Sequence, residues 1–170
     1  SDLFEDDDEL LEIIKDVAPR TYEFTEYVSG ILENDNRQSD VIQNVSDDTP
    51  KVTYHEACHL SRELGIKEGP RKLLNLIDGL EFVEMPKSEV CCGFGGMFSI
   101  KFAEISSAMM TEKIDSIESM DCEFVTSSDS SCLMNISGGL AKKNVATKPM
   151  HIAEIIDEFM LFEEADETSN

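Results

Sequence analysis

The sequence places thiols where metal or redox chemistry is open to them: Cys58, Cys91, Cys92, Cys122 and Cys132. Cys91 and Cys92 are adjacent and open the run CCGFGG. Thirty-two residues lie between Cys58 and Cys91, and 39 between Cys92 and Cys132. Soft thiolate ligands select iron–sulfur clusters, zinc or copper(I). A disulfide is the competing chemistry. Adjacent cysteines bridge only with strain, because the favoured Cα separation exceeds the roughly 3.8 Å of a trans peptide. Two adjacent thiolates suit a metal centre, above all one where they bind different metal atoms. Gly93, Gly95 and Gly96 would permit positive φ and close backbone approach, with N–H groups aimed at anionic sulfur. The bland alternative is a tight turn with buried, inert thiols. His55 and His59 flank Cys58. Each is a candidate ligand, proton donor or hydrogen-bond partner to sulfur. His151 opens the last helix and reads as structural.

Those thiols act together only if the fold gathers them. Short strands are expected at 51–55, 81–85 and 123–128, each shortly before a cysteine, with a further one at 144–148. Helices are expected at 9–17, 21–32, 71–78, 98–119, 131–143 and 151–162. Strand and helix alternate without hairpin signals. That predicts an α/β fold: a three- to four-stranded, mainly parallel sheet with flanking helices, preceded by an N-terminal helical segment. Loops at the carboxyl ends of parallel strands gather along one sheet edge. Cys58, Cys91, Cys92 and Cys132 are therefore expected to converge there, while Cys122, which precedes its strand, lies elsewhere. The organisation expected is a helical segment at 1–34, a polar linker at 35–50, an α/β domain at 51–162 and an acidic tail at 163–170. The pattern at 22–28 faintly echoes that at 150–156, as if the first helices close a preceding, related domain.

The chain of 170 residues is 41% hydrophobic, enough for an ordinary core. It carries 36 Asp and Glu against 14 Lys and Arg. The excess is uneven: 15 acids against 3 bases in residues 1–50, 14 against 11 in 51–150, and 7 against none in 151–170. Such a chain repels phosphate, which argues against nucleic acid and anionic lipid as partners. The acidic flanks read as a solvated surface, or as a docking face for a basic partner. No run approaches the roughly 20 apolar residues of a membrane span, and no signal peptide is evident. An odd cysteine count without a secretion signal points to a reducing cytoplasm, where thiols bind metal or do redox chemistry. The start without Met suggests a fragment or a processed chain. No dinucleotide fingerprint is present, so the chain reads as a redox subunit rather than a complete dehydrogenase.

Four segments taken together carry a resemblance: Tyr54-His-Glu-Ala-Cys-His59, Val90-Cys-Cys-Gly-Phe-Gly-Gly-Met-Phe-Ser99, Cys132-Leu-Met-Asn-Ile136 and Met150-His-Ile-Ala-Glu154. They resemble the second cysteine-rich domain of the lactate-utilisation A family. The wider CCG cysteine-rich family includes the iron–sulfur subunit of glycolate oxidase and the cysteine-rich component of heterodisulfide reductase. The resemblance spans about residues 51–160. It implies an iron–sulfur cluster, non-cubane and four-iron in the best understood members, where two such domains hold it. The implied ligands are Cys58, Cys91, Cys92 and Cys132. Asp129 stands where the family motif has one more cysteine, so it is either an oxygen ligand or the mark of a smaller, more labile or absent cluster. The resemblance further implies an electron-passing subunit in oxidation of L-lactate to pyruvate, working with other lactate-utilisation subunits in the cytoplasm. Glycolate or a disulfide as substrate remains open, as does a zinc-stabilised or metal-free interaction module. A thiol hydrolase using Cys58 with His55 or His59 lacks an oxyanion elbow.

Overall fold

A computed structural model describes residues 7–34 and 46–160. The expected acidic tail, most of the expected linker and the last two residues of the expected final helix lie outside the described residues. Four parallel strands form one sheet: β1 (Lys51–Tyr54), β2 (Glu81–Phe82), β3 (Phe124–Ser127) and β4 (Lys148–His151), in the order β2-β1-β3-β4. The register sets Val52 beside Phe124, Tyr54 beside Thr126 and Val125 beside Pro149. Because side chains alternate across a strand, Val52, Tyr54 and Phe124 face one side and Val125 the other. Pro149 donates no backbone bond, and β4 is an edge strand, the place in a sheet that tolerates proline.

Helices cover both faces. On one side α2 (Phe24–Asn34), α4 (Glu68–Asn75) and α8 (Ile152–Phe159) pack Leu32, Leu73, Leu74, Ile152, Ile155 and Ile156 on Val52 and Tyr54. On the other, α3 (Cys58–Arg62), α6 (Ala103–Glu118) and α7 (Ser130–Lys143) pack Leu60, Ile114, Ile117, Ile136 and Leu140 on Val125. The preceding helix α1 (Asp8–Val17) starts at an Asp7 cap and buries no residue, and a 3-10 turn (Ala18–Arg20) follows it. The α/β class, the parallel sheet and the N-terminal helices are as the sequence predicts.

Several local expectations shift. The helix expected at 71–78 runs from Glu68 to Asn75, and the strand expected at 81–85 is only Glu81–Phe82. The last strand begins at Lys148 rather than Asn144. Asn144 ends α7 in a left-handed turn with φ 57°, and the Val145 amide folds back onto the Leu140 carbonyl. Asn144 and Val145 are thus used in closing the helix. The helix expected at 98–119 is two: α5 (Met97–Lys101) and α6, parted at Phe102 (φ −125°, ψ 48°), which caps both. The short helix α3 has no counterpart among the expected elements. It starts at Cys58, four residues after β1 ends.

Candidate metal centre

β1 and β3 are neighbours at the centre of the sheet, and their chains leave in opposite directions, which opens a crevice at their carboxyl ends. The first side of that crevice is the segment after β1. The His55 amide bonds to the Thr126 carbonyl (2.8 Å) and the Glu56 amide to the Ser88 carbonyl (3.1 Å), which holds Cys58 at the start of α3. The second side is the loop from β2, where Cys91, Cys92 and Gly93 pass beneath α6. Gly93 has φ 83°, and a Cβ there would sit 2.6 Å from the Ser106 carbonyl oxygen. Only glycine fits so close an approach. The Ser106 hydroxyl donates to the Gly93 carbonyl (2.7 Å), the Asn135 amide donates to the Cys92 carbonyl (3.1 Å), and the Gly93 N–H donates to Cys91 Sγ (3.4 Å). Gly95 and Gly96 also have positive φ, 50° and 54°. The third side is the first turn of α7, which carries Cys132.

Ligand atoms of His55, Cys92 and Cys132 lie within 4.8 Å of one another, and all three residues are buried. Cys58 and Cys91 are half-buried beside them and interact with each other; Cys58 also acts on Cys132. All five cysteines are free thiols. Cys122 stands apart, before β3 at the other end of the sheet, with its thiol on the Met120 carbonyl (3.5 Å). Asp129 is the N-cap of α7. Its Oδ1 accepts from the amides of Ser131 (2.7 Å) and Cys132 (3.0 Å), and its Oδ2 faces His59 Nδ1 at 3.0 Å. Both oxygens are thus engaged at the rim, and His59 is half exposed there. His151 caps α8, its Nδ1 accepting from the Ala153 amide (3.2 Å).

The electrostatics favour an anion at Cys92. Cys92 and Cys132 titrate as a pair. Interaction with the Cys132 thiol draws Cys92 well below the ordinary thiol range against the effect of burial, with help from His55 and the Phe94 backbone; Cys132 rises correspondingly. Burial raises Cys91, partly offset by the Gly93 N–H. Cys132 in the first turn of α7 also feels the positive end of that helix. Cys122 has no such help, and burial pushes it up to about 11.

A thiolate-bound metal fits these residues. Neither ring nitrogen of wholly buried His55 makes a hydrogen bond of full geometry among the described residues, although the ring lies near enough to Cys92 to favour its anion. A buried polar atom left without a partner is costly, and a metal or its sulfur would satisfy it. The sequence pattern of the CCG cysteine-rich domain family matches residues 52–137. This chain belongs to the CCG cysteine-rich domain family. The chain is also similar to parts of longer proteins of known name. Lactate utilization protein A 2 of Bacillus cereus (strain Q1) is 39% identical over 155 residues, which cover 91% of this chain and 61% of that protein. Lactate utilization protein A of Bacillus subtilis (strain 168) is also 39% identical, over 91% of this chain and 62% of its own length. The chain thus spans about three fifths of the relatives it matches.

Three residues of the CCG domain escape the sequence reading: Ser106, Asn135 and Lys113. Lys113 is 1% exposed, and its ammonium donates to the carbonyls of Lys87 (2.8 Å) and Ser88 (3.2 Å) in the loop that leads to Cys91. A signal for it exists in the sequence. Ser106, Met110, Lys113 and Ile117 follow helical spacing, so a lysine stands on the inward stripe of α6.

Proposed function

We propose that Cys58, Cys91, Cys92 and Cys132 hold an iron–sulfur cluster, and that the chain passes electrons in the oxidation of L-lactate to pyruvate. The observation that carries this is the buried set of Cys92, Cys132 and His55, with Cys58 and Cys91 at its edge. When bound, the cluster supplies one-electron chemistry. The chain's own residues prepare for it. The Gly93 N–H stabilises charge on Cys91. Gly93 brings backbone close to the Cys91 sulfur, and the positive φ of Gly95 and Gly96 turns the loop that follows. His55 offers a nitrogen to the metal or an N–H to its sulfur. Asp129 fixes the turn that carries Cys132 and orients His59 at the rim. The names of the relatives favour lactate over glycolate as the oxidised acid, and the partners proposed are other lactate-utilisation subunits in the cytoplasm. No helix among the described residues is long and apolar enough to cross a membrane.

The test is iron and sulfide quantification with EPR on anaerobically purified protein. Serine at any one of the four cysteines is expected to abolish or strongly reduce cluster content, and Cys122→Ser to leave it unchanged. Asp129→Cys is expected to raise iron retention after exposure to air. Zinc is the second reading, since His55, Cys92 and Cys132 alone make a three-donor set. A colourless protein with stoichiometric zinc, refractory to iron and sulfide, would establish that reading instead.

A further inference from the structure

Helix α6 grips the cysteine loop at two places on one face. Ser106 holds the carbonyl of Gly93, after the two cysteines, and Lys113, seven residues on, holds the carbonyls of Lys87 and Ser88, before them. A hydroxyl serves the first contact. The second uses an ammonium, and a neutral donor would suffice if hydrogen bonding were all that was required. The charge is expensive where it stands. Lys113 is 1% exposed, and a buried charge is costly unless it is paired. Its hydrogen bonds among the described residues go to carbonyls, not to a carboxylate. Glu112, the preceding residue, is engaged with Lys87 at 2.8 Å, and Glu89 is exposed. What lies within the same packed cluster as the neighbours of Lys113 is sulfur: Cys92 and Cys132 pack with Ile114 and Ile117 of α6.

Resting on the iron–sulfur reading above, we propose that Lys113 is a positioning residue that supplies the buried counter-charge to the metal–thiolate group, favouring its assembly and raising its reduction potential. A divalent metal or a four-iron cluster held by all four thiolates carries a net negative charge that the free thiols do not, and a nearby cation in a medium of low dielectric stabilises that charge strongly. The ammonium is hydrogen-bonded to carbonyls alone and feels the charge of Glu89 from further off, so a filled site gives it a further anionic neighbour and offsets part of the cost of burying it. The titration of Lys113 agrees. Burial pulls its pKa down to about 8, against the opposite pull of Glu89, Cys92 and Cys91, so it is still cationic at pH 7. A more reduced cluster is more negative, and the same cation therefore favours reduction.

The experiment compares Lys113→Gln, which keeps a donor and loses the charge, with Lys113→Arg, which keeps both. Anaerobic metal-free protein is titrated with Co²⁺, read by its sulfur-to-cobalt charge-transfer band, and separately reconstituted with iron and sulfide for potentiometry. Lys113→Gln is expected to bind Co²⁺ at least tenfold more weakly. Its reconstituted cluster should shift to lower potential by at least tenfold in the oxidised-to-reduced ratio, about 59 mV for one electron. Lys113→Arg is expected within about threefold of the wild type on both counts. Loss of hydrogen bonds alone would lower stability without moving the potential. Affinity and potential that stay at wild-type values in Lys113→Gln overturn the proposal, as does a wild-type chain that binds no Co²⁺ through sulfur. A wild-type chain that binds Co²⁺ but takes up no iron and sulfide defeats the iron–sulfur reading, and the cobalt comparison then decides Lys113 by itself. Should Lys113→Gln not fold, NMR of the Lys113 ammonium in the wild type decides it. Zn²⁺ binding should raise its proton affinity at least tenfold, and no rise overturns the inference.

Discussion

Gly93 shows how one residue ties backbone geometry to chemistry. It joins a left-handed φ to a near-contact with the Ser106 carbonyl, so neither the turn nor the spacing tolerates a side chain. Gly93→Ala is expected to destabilise the metal-free protein by about 3 kcal/mol, from backbone strain and overpacking of about 1–3 kcal/mol each. Urea unfolding measures it, and a loss under about 1 kcal/mol would show that α6 yields readily. Asp129 acts through a cap. Burial alone would raise its pKa, yet hydrogen bonds from Ser131 and Cys132 and the neighbouring His59 hold it below the ordinary carboxylate value. A carboxyl whose folded pKa is depressed stabilises the fold above its unfolded pKa, and that contribution is lost as pH falls through the folded value. Asp129→Ala should therefore cost about 1 kcal/mol at pH 7. The gap between variant and wild type should close in acid. Denaturation curves at several pH values check both, and a gap that persists unchanged in acid would contradict the charge-dependent part.

At the scale of elements, the two walls of the crevice are held by different helices. While α6 holds the cysteine loop, α4 holds the strand ends through Arg71. Its guanidinium bonds Glu56 (2.9 Å), Glu84 in bidentate fashion (2.8 Å each), the Ser88 hydroxyl (3.1 Å) and the Lys67 carbonyl (2.8 Å), and lies over the Tyr54 ring at 5.3 Å. Glu56 is nearly buried, so truncating Arg71 leaves a carboxylate without its partner. Arg71→Met is expected to cost about 3 kcal/mol, by the mechanism of a broken buried pair. Arg71→Lys should recover only part, since an ammonium cannot reproduce the planar fork. Chemical denaturation of both variants decides this. Equal stabilities for Arg71→Lys and wild type would show that charge alone, and not the fork, joins α4 to the sheet.

For the whole molecule, the core does not depend on the cysteine site. One apolar cluster centres on Val52, Tyr54, Leu73 and Ile155 and includes no cysteine. The other includes Cys92 and Cys132 but rests equally on Leu60, Ile114, Ile117, Val125 and Ile136. A sheet covered on both faces buries enough surface to fold without metal, unlike small zinc domains. The metal-free chain is expected to be folded at room temperature and to melt cooperatively, with loading raising the midpoint by mass action. Circular dichroism melts of metal-free and reconstituted protein test this. A metal-free form already unfolded at room temperature would mean that the site, not the sheet, organises the domain.

The chain pattern alone determined the class of fold and which thiols stand at the strand ends. Short strand-forming runs before Cys58, Cys91 and Cys132 mark strands, and helices between strands force a parallel sheet, because a parallel pair needs a long crossover. That topology carries strand-end residues to one edge, and it leaves Cys122 at the other. Local chemistry that competes with periodicity was less legible. Asn144 takes a left-handed helix cap, which moves β4 to Lys148, and Phe102 parts a helix whose apolar spacing runs on unbroken. Only tertiary structure decided which neighbours the polar residues meet. His55 falls beside Cys92 and Cys132 because β1 and β3 pair in one register. Asp129 spends its oxygens on a helix end and on His59, and Lys113 reaches the loop before Cys91 because α6 packs against it. Spacing along a chain orders residues on their own element, whereas the partner of a buried charge is set by how two elements pack.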